Sequence, residues 1–220
     1  MLWSGCERGV APNWLVAGSL ALSLGACTPY SGDFQPVAES LVRERPGEAL
    51  TRLAEQPPAP VDRVLHTLNR ATILQQLGRF GESNARFERA KRLIEVLAAT
   101  SISETALQFT VNDARRTFVG EPYEQVMIHL MMALNYLALG QLHEARVETL
   151  QMDVKLREIG IEGDDSQYRE DAFARYLAGL VHQALGEHDD ALISYLKAIR
   201  IYQRQQPEFS VPPPERLVRE

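Results

Sequence analysis

The alternation of apolar and polar positions is clearest over residues 127–148, where it predicts two helices joined by a tight turn. Apolar side chains recur at helical spacing over Ile128–Leu139. Gly140 follows at a position where helices commonly end in a left-handed residue. Ala145 then begins a second apolar pattern. This stretch therefore predicts a helical hairpin.

The same pattern occurs three times when Gly78, Gly140 and Gly186 are superposed as turn residues. In each hairpin, small residues stand where two helices approach closely, and bulky residues fill the space between them. The small residues are Ala71, Ser83 and Ala90, then Ala133 and Ala145, then Gly179, Ala191 and Ala198; the bulky ones are Phe87, Tyr136, Leu142 and Tyr195, and Met152 departs from the small pattern. Such units are typical of tetratricopeptide repeats (TPRs). The sequence thus predicts an all-α, TPR-like helical-hairpin solenoid of about three hairpins.

Two insertions interrupt this array, because the turn glycines are 62 and 46 residues apart, whereas an uninterrupted array repeats at about 34. The first insertion, residues 98–122, includes pieces of extended character at Ser101–Ser103, 109–111 and 117–119. It lacks the composition of a flexible linker, so we expect it to be ordered. Two roles remain open for it, packing across the repeats or forming a ligand site.

The second insertion, residues 157–168, is polar and contains two glycines in its neighbourhood. It is predicted to be an exposed connecting loop. Asp164, Asp165 or Ser166 is the expected N-cap of the helix that follows.

The remaining segments surround a predicted solenoid domain at 36–205. Short helices are expected over 36–45 and 47–56, and the proline run at 57–60 separates them from the repeats. Residues 206–220 form a proline-rich tail that ends in a short helical pattern. This tail either docks on the last repeat as a cap or is a shortened form of something longer.

The N-terminal 26 residues have the pattern of a processed export signal. Residues 14–26 are an apolar run too short for a permanent membrane span. The run ends in Leu24-Gly25-Ala26-Cys27, which resembles the bacterial lipobox. This resemblance implies that 1–26 is a lipoprotein signal peptide, that Cys27 is lipidated and that 27–35 is a tether. A short membrane anchor or a buried helix with an incidental cysteine is the alternative.

The cysteine content agrees with an exported protein that needs no disulfide, since Cys6 would leave with the signal and Cys27 would carry lipid. By the same resemblance, Thr28 after the cysteine implies transport to the outer membrane, facing the periplasm.

Composition limits the classes of protein and of function to which this chain can belong. With 45% hydrophobic and 24% charged residues, the chain has the composition of an ordinary folded protein. A net charge of −6 and a pI near 5.5 argue against nucleic-acid binding.

Candidate chemistry is sparse. The five histidines show no metal-binding spacing, so no metal or cofactor is expected. Glu121 and Glu124 could act as the paired carboxylates of a glycan hydrolase. Acidic residues at a helix N-terminus also explain both of them.

A candidate partner-binding set combines polar residues of the central hairpin with the insertion before it. The set is Asn112, Asp113, Tyr123, His129, Asn135 and Arg146. In the functional interpretation these residues hold a peptide segment in a groove of the repeats. The alternative is structural, with a buried Asn135 bonded to the backbone of the insertion.

Several motifs run from Asn112-Asp113 through Ala133-Leu134-Asn135-Tyr136 to Ala145-Arg146-Val147-Glu148. They resemble an uncharacterised family of bacterial TPR lipoproteins of the cell envelope, and the likeness extends over residues 62–202. The resemblance implies a membrane-anchored protein-protein interaction scaffold that binds another envelope protein and is not an enzyme. The alternative is a peptidoglycan-processing enzyme or a ligand-binding domain centred on residues 98–122.

Overall fold

A computed structural model describes residues 30–105, 122–162, 171–209 and 211–219, and within these ranges all regular structure is helical. The helices are α1 (Tyr30–Val42), α2 (Pro46–Glu55), α3 (Arg63–Gln76), α4 (Phe80–Thr105), α5 (Pro122–Ala138), α6 (Leu142–Glu162), α7 (Ala172–Ala184), α8 (His188–Phe209) and α9 (Glu215–Arg219), with one 3-10 turn at Pro60–Asp62 before α3.

Consecutive helices pack as hairpins, α3 with α4, α5 with α6 and α7 with α8. Each hairpin joins the next through its second helix, since α4 packs on α5 and α6 on α7, while α1 and α2 pack ahead of α3. The predicted all-α, TPR-like helical-hairpin solenoid is confirmed.

The three turns share one backbone conformation. Gly78, Gly140 and Gly186 have φ of 71°, 72° and 78°, a left-handed region that costs other L-residues about 1 kcal/mol or more. The amide after each glycine donates to a carbonyl five residues back, at 2.8–2.9 Å. These bonds satisfy the free carbonyls at the helix ends, so the second helix starts at a fixed angle in every hairpin.

Small side chains allow the two helices of a hairpin to approach. Ala71, Ala133 and Ala145 are fully buried. The Ser83 hydroxyl donates to the Ala71 carbonyl at 2.8 Å, which ties α4 directly to the backbone of α3. A Cβ built at Gly179 would overlap the ring of Tyr195, so the third hairpin requires glycine at this position.

The apolar core consists of four clusters along the array. Each cluster contains residues from a hairpin and from a helix outside it, so the array is stabilised by contacts between units as well as within them. The clusters are Val37, Ala49 and Leu53 with Ile73; Val64, Phe87 and Ile94 with Ile128 and Met132; Val126, Met152 and Leu156 with Ala174 and Leu177; and Tyr176, Tyr195 and Ile201 with Leu217.

The first helix begins earlier than predicted. The tether expected at 27–35 is helical from Tyr30, and residues 27–29 lie outside the described ranges. Tyr30 stacks on Phe34 with ring centroids 5.8 Å apart, and Asn69 donates to the Tyr30 hydroxyl at 2.8 Å. The ring contact within α1 and the hydrogen bond from α3 together stabilise a helix in a turn-rich sequence.

The first insertion begins later than predicted, because α4 continues to Thr105. The extended structure expected at Ser101–Ser103 is wrong. The local preference of these residues for extended structure is weak. Because α4 is already packed through Ile94 and Leu97, the helix continues through them. Residues 106–121 lie outside the described ranges.

The second insertion is also partly helical, since α6 runs to Glu162. The N-cap of α7 is Asp171, whose carboxylate accepts a hydrogen bond from the Ala174 amide at 2.8 Å. The predicted caps Asp164, Asp165 and Ser166 lie outside the described ranges. Asp171 has the extended backbone conformation of an N-cap residue. Its side chain accepts from the amide three residues later, which is the usual N-cap hydrogen bond.

The C-terminal tail starts later than the predicted boundary at 206, because α8 continues to Phe209. In α9, Leu217 is buried and belongs to the cluster of the third hairpin, which also contains Ala198, Ile201 and Tyr202. The tail therefore docks on the last repeat, one of the two alternatives that the sequence left open.

Candidate functional site

The predicted site residues are only partly within the described ranges. Cys27, Asn112, Asp113 and Glu121 lie outside them. Tyr123 lies at the start of α5 and is half-buried. His129, Asn135 and Arg146 have well-defined surroundings, which decide what each of them can contact.

Asn135 is fully buried between the first and second hairpins. Its carbonyl accepts from Gln75 Nε2 at 2.8 Å, and its Nδ2 donates to Ser83 Oγ at 2.9 Å and to Asn84 Oδ1 at 2.7 Å. Gln75 Nε2 also donates to the backbone carbonyl of Met131 at 3.1 Å. Asn135 thus joins α5 to both helices of the preceding hairpin.

His129 is buried against the second helix of its own hairpin. Its Nδ1 lies 2.7 Å from Glu148 Oε2, and both side chains are almost completely excluded from solvent. Lys91 Nζ lies 3.7 Å from Glu148 and 2.9 Å from Glu88, which brings α4 into the network. His129 therefore connects helices, and a partner would find little of its surface.

Tyr136 lies beside this network. Burial, together with the carboxylates of Glu148 and Glu88, raises the pKa of the Tyr136 phenol. The hydroxyl therefore stays neutral and available for hydrogen bonding at physiological pH.

Arg146 connects the second and third hairpins. Its Nε lies 2.9 Å from Glu187 Oε2, and His182 Nδ1 lies 2.5 Å from the same oxygen. The hydrogen bonds from His182 and then Arg146 lower the pKa of the Glu187 carboxyl. Arg146 is half-exposed, so it alone of these three keeps a surface that a partner could contact.

The three residues do not form one site. Among the described residues, no hydrogen bond or ion pair joins any two of His129, Asn135 and Arg146. Each contacts a different set of partners at a hairpin junction, so their partner-binding role stays a prediction without a common surface.

A possible metal-ligand group was not anticipated from the sequence. His182, Glu187 and Asp190 place one ligand atom each within 4.8 Å of one another. Glu187 already accepts from Arg146 and His182, and a cation there would compete with a guanidinium. The geometry therefore favours an ion-pair junction over a metal centre.

The carboxylate pair proposed for glycan hydrolysis is described in part. Glu124 lies in the first turn of α5 and is half-buried. A carboxylate in a first turn interacts favourably with the helix N-terminus.

One surface that the sequence analysis did not single out lies along the first helices of the three hairpins. On each first helix, one residue lies 13 positions before the turn glycine and another lies six positions before it. These two residues are seven apart, which is about two helical turns, so their side chains lie on the same side of the helix. We call this the first-helix face: Leu65 and Thr72 on α3, Met127 and Leu134 on α5, Phe173 and Leu180 on α7. Five of these six side chains are apolar, and none is fully buried; Phe173 is 43% exposed.

Core packing relates the first helices of adjacent hairpins. Leu68 of α3 and Met131 of α5 pack on the same core cluster. Met127 and Leu134 pack on the cluster that contains Ala174 and Leu177 of α7. Side chains of α3 and α5, and of α5 and α7, thus share core clusters, and the first-helix face repeats on all three helices.

The described helices include none long and apolar enough to cross a membrane. Residues 14–26, where the sequence predicts a signal peptide, lie outside the described ranges.

Comparison with known proteins finds similar solved structures, including the following two. BtubC (BKLC) from P. vanneervenii is 20% identical with a TM-score of 0.47, and the alignment covers 80% of this chain and 58% of that one. The nearly identical TPR-like repeats of a Podosopora anserina kinesin light chain are 13% identical with a TM-score of 0.36, covering 81% and 96%. The chain thus spans 58% of the length of BtubC. No family model and no curated protein matches the chain.

Proposed function

We propose that this chain is a membrane-anchored protein-protein interaction scaffold of the bacterial cell envelope, and that it binds a segment of another envelope protein on the first-helix face. The observation that carries the proposal is that partly exposed apolar side chains recur at the same positions on the first helices of the three hairpins, from Leu65 to Leu180. A row of this kind suits a partner that inserts several apolar side chains in register.

Phe173 is the expected anchor of the interaction. It is the most exposed side chain of the row and lies at the edge formed by α7. Aromatic side chains often dominate binding energy at interfaces. Polar Thr72 and Gln76 on α3 would form a rim at the other end of the face.

Site-specific crosslinking in living cells tests this surface. A photo-crosslinking residue at position 173 or 134 of the full-length chain should capture one discrete partner. Val147, which is 52% exposed but lies on α6, is the matched control position. Equal capture from position 147, or no adduct from 173 and 134, would contradict the proposed surface.

A substitution gives the energetic test. Phe173→Ala should weaken binding of the captured partner about tenfold or more, because the anchor side chain is lost. Val147→Ala should leave affinity unchanged. Thermal unfolding of both variants separates a binding defect from a folding defect.

The anchor is proposed from the lipobox-like Leu24-Gly25-Ala26-Cys27. Lipid chains at Cys27 would give stable membrane association when more than one is attached. Cys27→Ala should move the protein from the membrane fraction to the soluble periplasm and abolish incorporation of a labelled fatty acid. A variant that remains in the membrane fraction would show that the assignment is wrong.

A further inference from the structure

A cluster of three arginines lies at the first hairpin, on the other side of α3 from the first-helix face. Arg70 follows Asn69, which contacts α1, and precedes Ala71, which contacts α4. At about 100° per residue, Arg70 is turned by about 140° from Leu65 and about 160° from Thr72. Its side chain therefore projects between α4 and the N-terminal helices.

Arg86 reaches the same place from α4. Ser83, one turn before Arg86, is hydrogen-bonded to the backbone of Ala71 at 2.8 Å. This bond fixes the crossing of α3 and α4 directly beside Arg70. The hairpin crossing thus places the α-carbons of both arginines near one another, and the charge of Arg86 acts on Arg70.

The cluster has more positive than negative charge. Arg79 is paired with Glu82 through two hydrogen bonds, Nε to Oε1 at 2.7 Å and Nη2 to Oε2 at 2.6 Å. Within the described chain, Arg70 and Arg86 have no hydrogen bond or ion pair, and the Nε of Arg70 is buried without a partner. Glu82, which is paired with Arg79, is the negative charge that also acts on Arg70 and Arg86. Three guanidinium groups therefore share this carboxylate, although the net charge of the chain is −6.

The electrostatic consequence is visible at Arg70. Burial, and then the neighbouring charges of Arg86 and Arg79, lower the pKa of its guanidinium, and the carboxylate of Glu82 only partly offsets this effect. The charged form is destabilised there, and a bound anion would reverse that effect.

We propose that Arg70 and Arg86 form a binding site for an oxyanion, either a carboxylate or a phosphate group. The planar guanidinium fork matches both groups because it can donate two parallel hydrogen bonds. The anion could come from free phosphate or from acidic side chains of a polypeptide. The site lies apart from the first-helix face and does not depend on the function proposed for that face.

Calorimetric titration of the full-length chain in detergent tests the site, with inorganic phosphate and hexaglutamate as separate probes at constant ionic strength. Arg70→Gln and Arg86→Gln should each weaken binding about tenfold or more, since each removes a charged hydrogen-bond donor. Arg200→Gln is the matched control, because it makes the same charge change at an exposed position of α8. It should bind like wild type.

The relative affinities identify the source of the anion. Tighter binding of hexaglutamate assigns the site to an acidic polypeptide segment, and tighter binding of phosphate assigns it to the free ion. Absence of saturable binding of both probes would overturn the proposal. Wild-type affinity in folded Arg70→Gln and Arg86→Gln proteins would overturn it equally.

Glu82→Gln provides a test of opposite sign. Removing this carboxylate frees the fork of Arg79 and should tighten binding several-fold. Glu215→Gln adds the same charge on α9 and should have little effect. If Arg70→Gln does not fold, Arg86→Gln and Glu82→Gln still test the proposal. Equal tightening of anion binding in Glu82→Gln and Glu215→Gln would indicate a general charge effect and would contradict a local site.

Discussion

Asn135 has a partner for each of its polar side-chain atoms although it has no exposed surface. A buried polar group is tolerated only when its hydrogen bonds are made, so its partners are restricted to one geometry. Gln75, Ser83 and Asn84 lie on two helices of the preceding hairpin. Asn135 therefore selects the register in which the first and second hairpins pack.

Replacing Asn135 by leucine should destabilise the fold by about 2 kcal/mol or more, because buried Ser83 and Asn84 and half-buried Gln75 would each lose one hydrogen bond. Urea unfolding followed by circular dichroism measures the change. Gln76→Leu, at an exposed position of α3, is the matched control and should change stability by less than about 0.5 kcal/mol. A small effect of Asn135→Leu would mean that the network does not contribute to stability.

Gly179→Ala should be destabilising by about 1–3 kcal/mol, because the added methyl group would overlap the ring of Tyr195. Gly81→Ala, in α4 with open space around the added Cβ, should be neutral or slightly stabilising. Combining Gly179→Ala with Tyr195→Leu in a double-mutant cycle should recover part of the loss. Strictly additive effects would argue against this contact as the cause.

The helices of neighbouring hairpins are joined by polar contacts as well as by apolar clusters. Between the second and third hairpins, Glu187 accepts from both Arg146 on α6 and His182 on α7. Arg175 and Asp153 form a second ion pair between the same helices. These contacts align α6 with α7 around the core residues Leu156 and Leu177.

The Glu187 contact predicts a pH dependence. The folded-state pKa of Glu187 is lowered below its ordinary value of 4.5 by His182 and then Arg146. A depressed carboxyl pKa contributes stability above the unfolded pKa, and this contribution disappears as pH falls through the folded pKa. The stability difference between wild type and Glu187→Gln should therefore be constant near neutral pH and shrink below about pH 4.5.

Chemical unfolding of both proteins from pH 7 to pH 3 measures this difference. Glu158→Gln, which removes an exposed pair with Lys155 within α6, is the matched control and should show a smaller difference throughout. A difference for Glu187→Gln that stays unchanged to pH 3 would contradict the assigned role.

At the scale of the whole molecule, the described helices pack chiefly on those of their own and the adjacent hairpin, so stability is approximately a sum of hairpin and junction contributions. α9 closes the C-terminal end of this array by placing Leu217 against Ile201 and Tyr202. The short α9 is not stable by itself. It is held by this contact, and in return it covers the apolar end of the last hairpin.

Leu217→Ala should destabilise the third hairpin by about 2–3 kcal/mol, because it removes a buried side chain. Hydrogen exchange should accelerate in α7 and α8, while α3 keeps its protection, because the effect decays across junctions. Val218→Ala changes the adjacent exposed residue and should leave exchange unchanged. Equal acceleration in α3 and α8 would show that the array unfolds as a single cooperative unit.

The repeating features were predictable because they depend on local backbone geometry and helical periodicity. Gly78, Gly140 and Gly186 locate the turns, since a left-handed turn strongly favours glycine. The first-helix face follows from the same register, and counting back from the glycines would have identified it. Helix ends were less predictable, because tertiary packing extends α4 to Thr105 and starts α1 at Tyr30.

By itself, the sequence determined the helical class, the three turns and the small residues at the helix crossings, because each depends on chain geometry within one hairpin. Only the tertiary structure decided what the polar residues do. Asn135, His129 and Arg146 contact residues 19 to 60 positions away, and the charge of Arg86 acts on Arg70 across a turn. Such contacts depend on how hairpins stack, and helical periodicity carries no information about which polar side chain a neighbouring repeat will present.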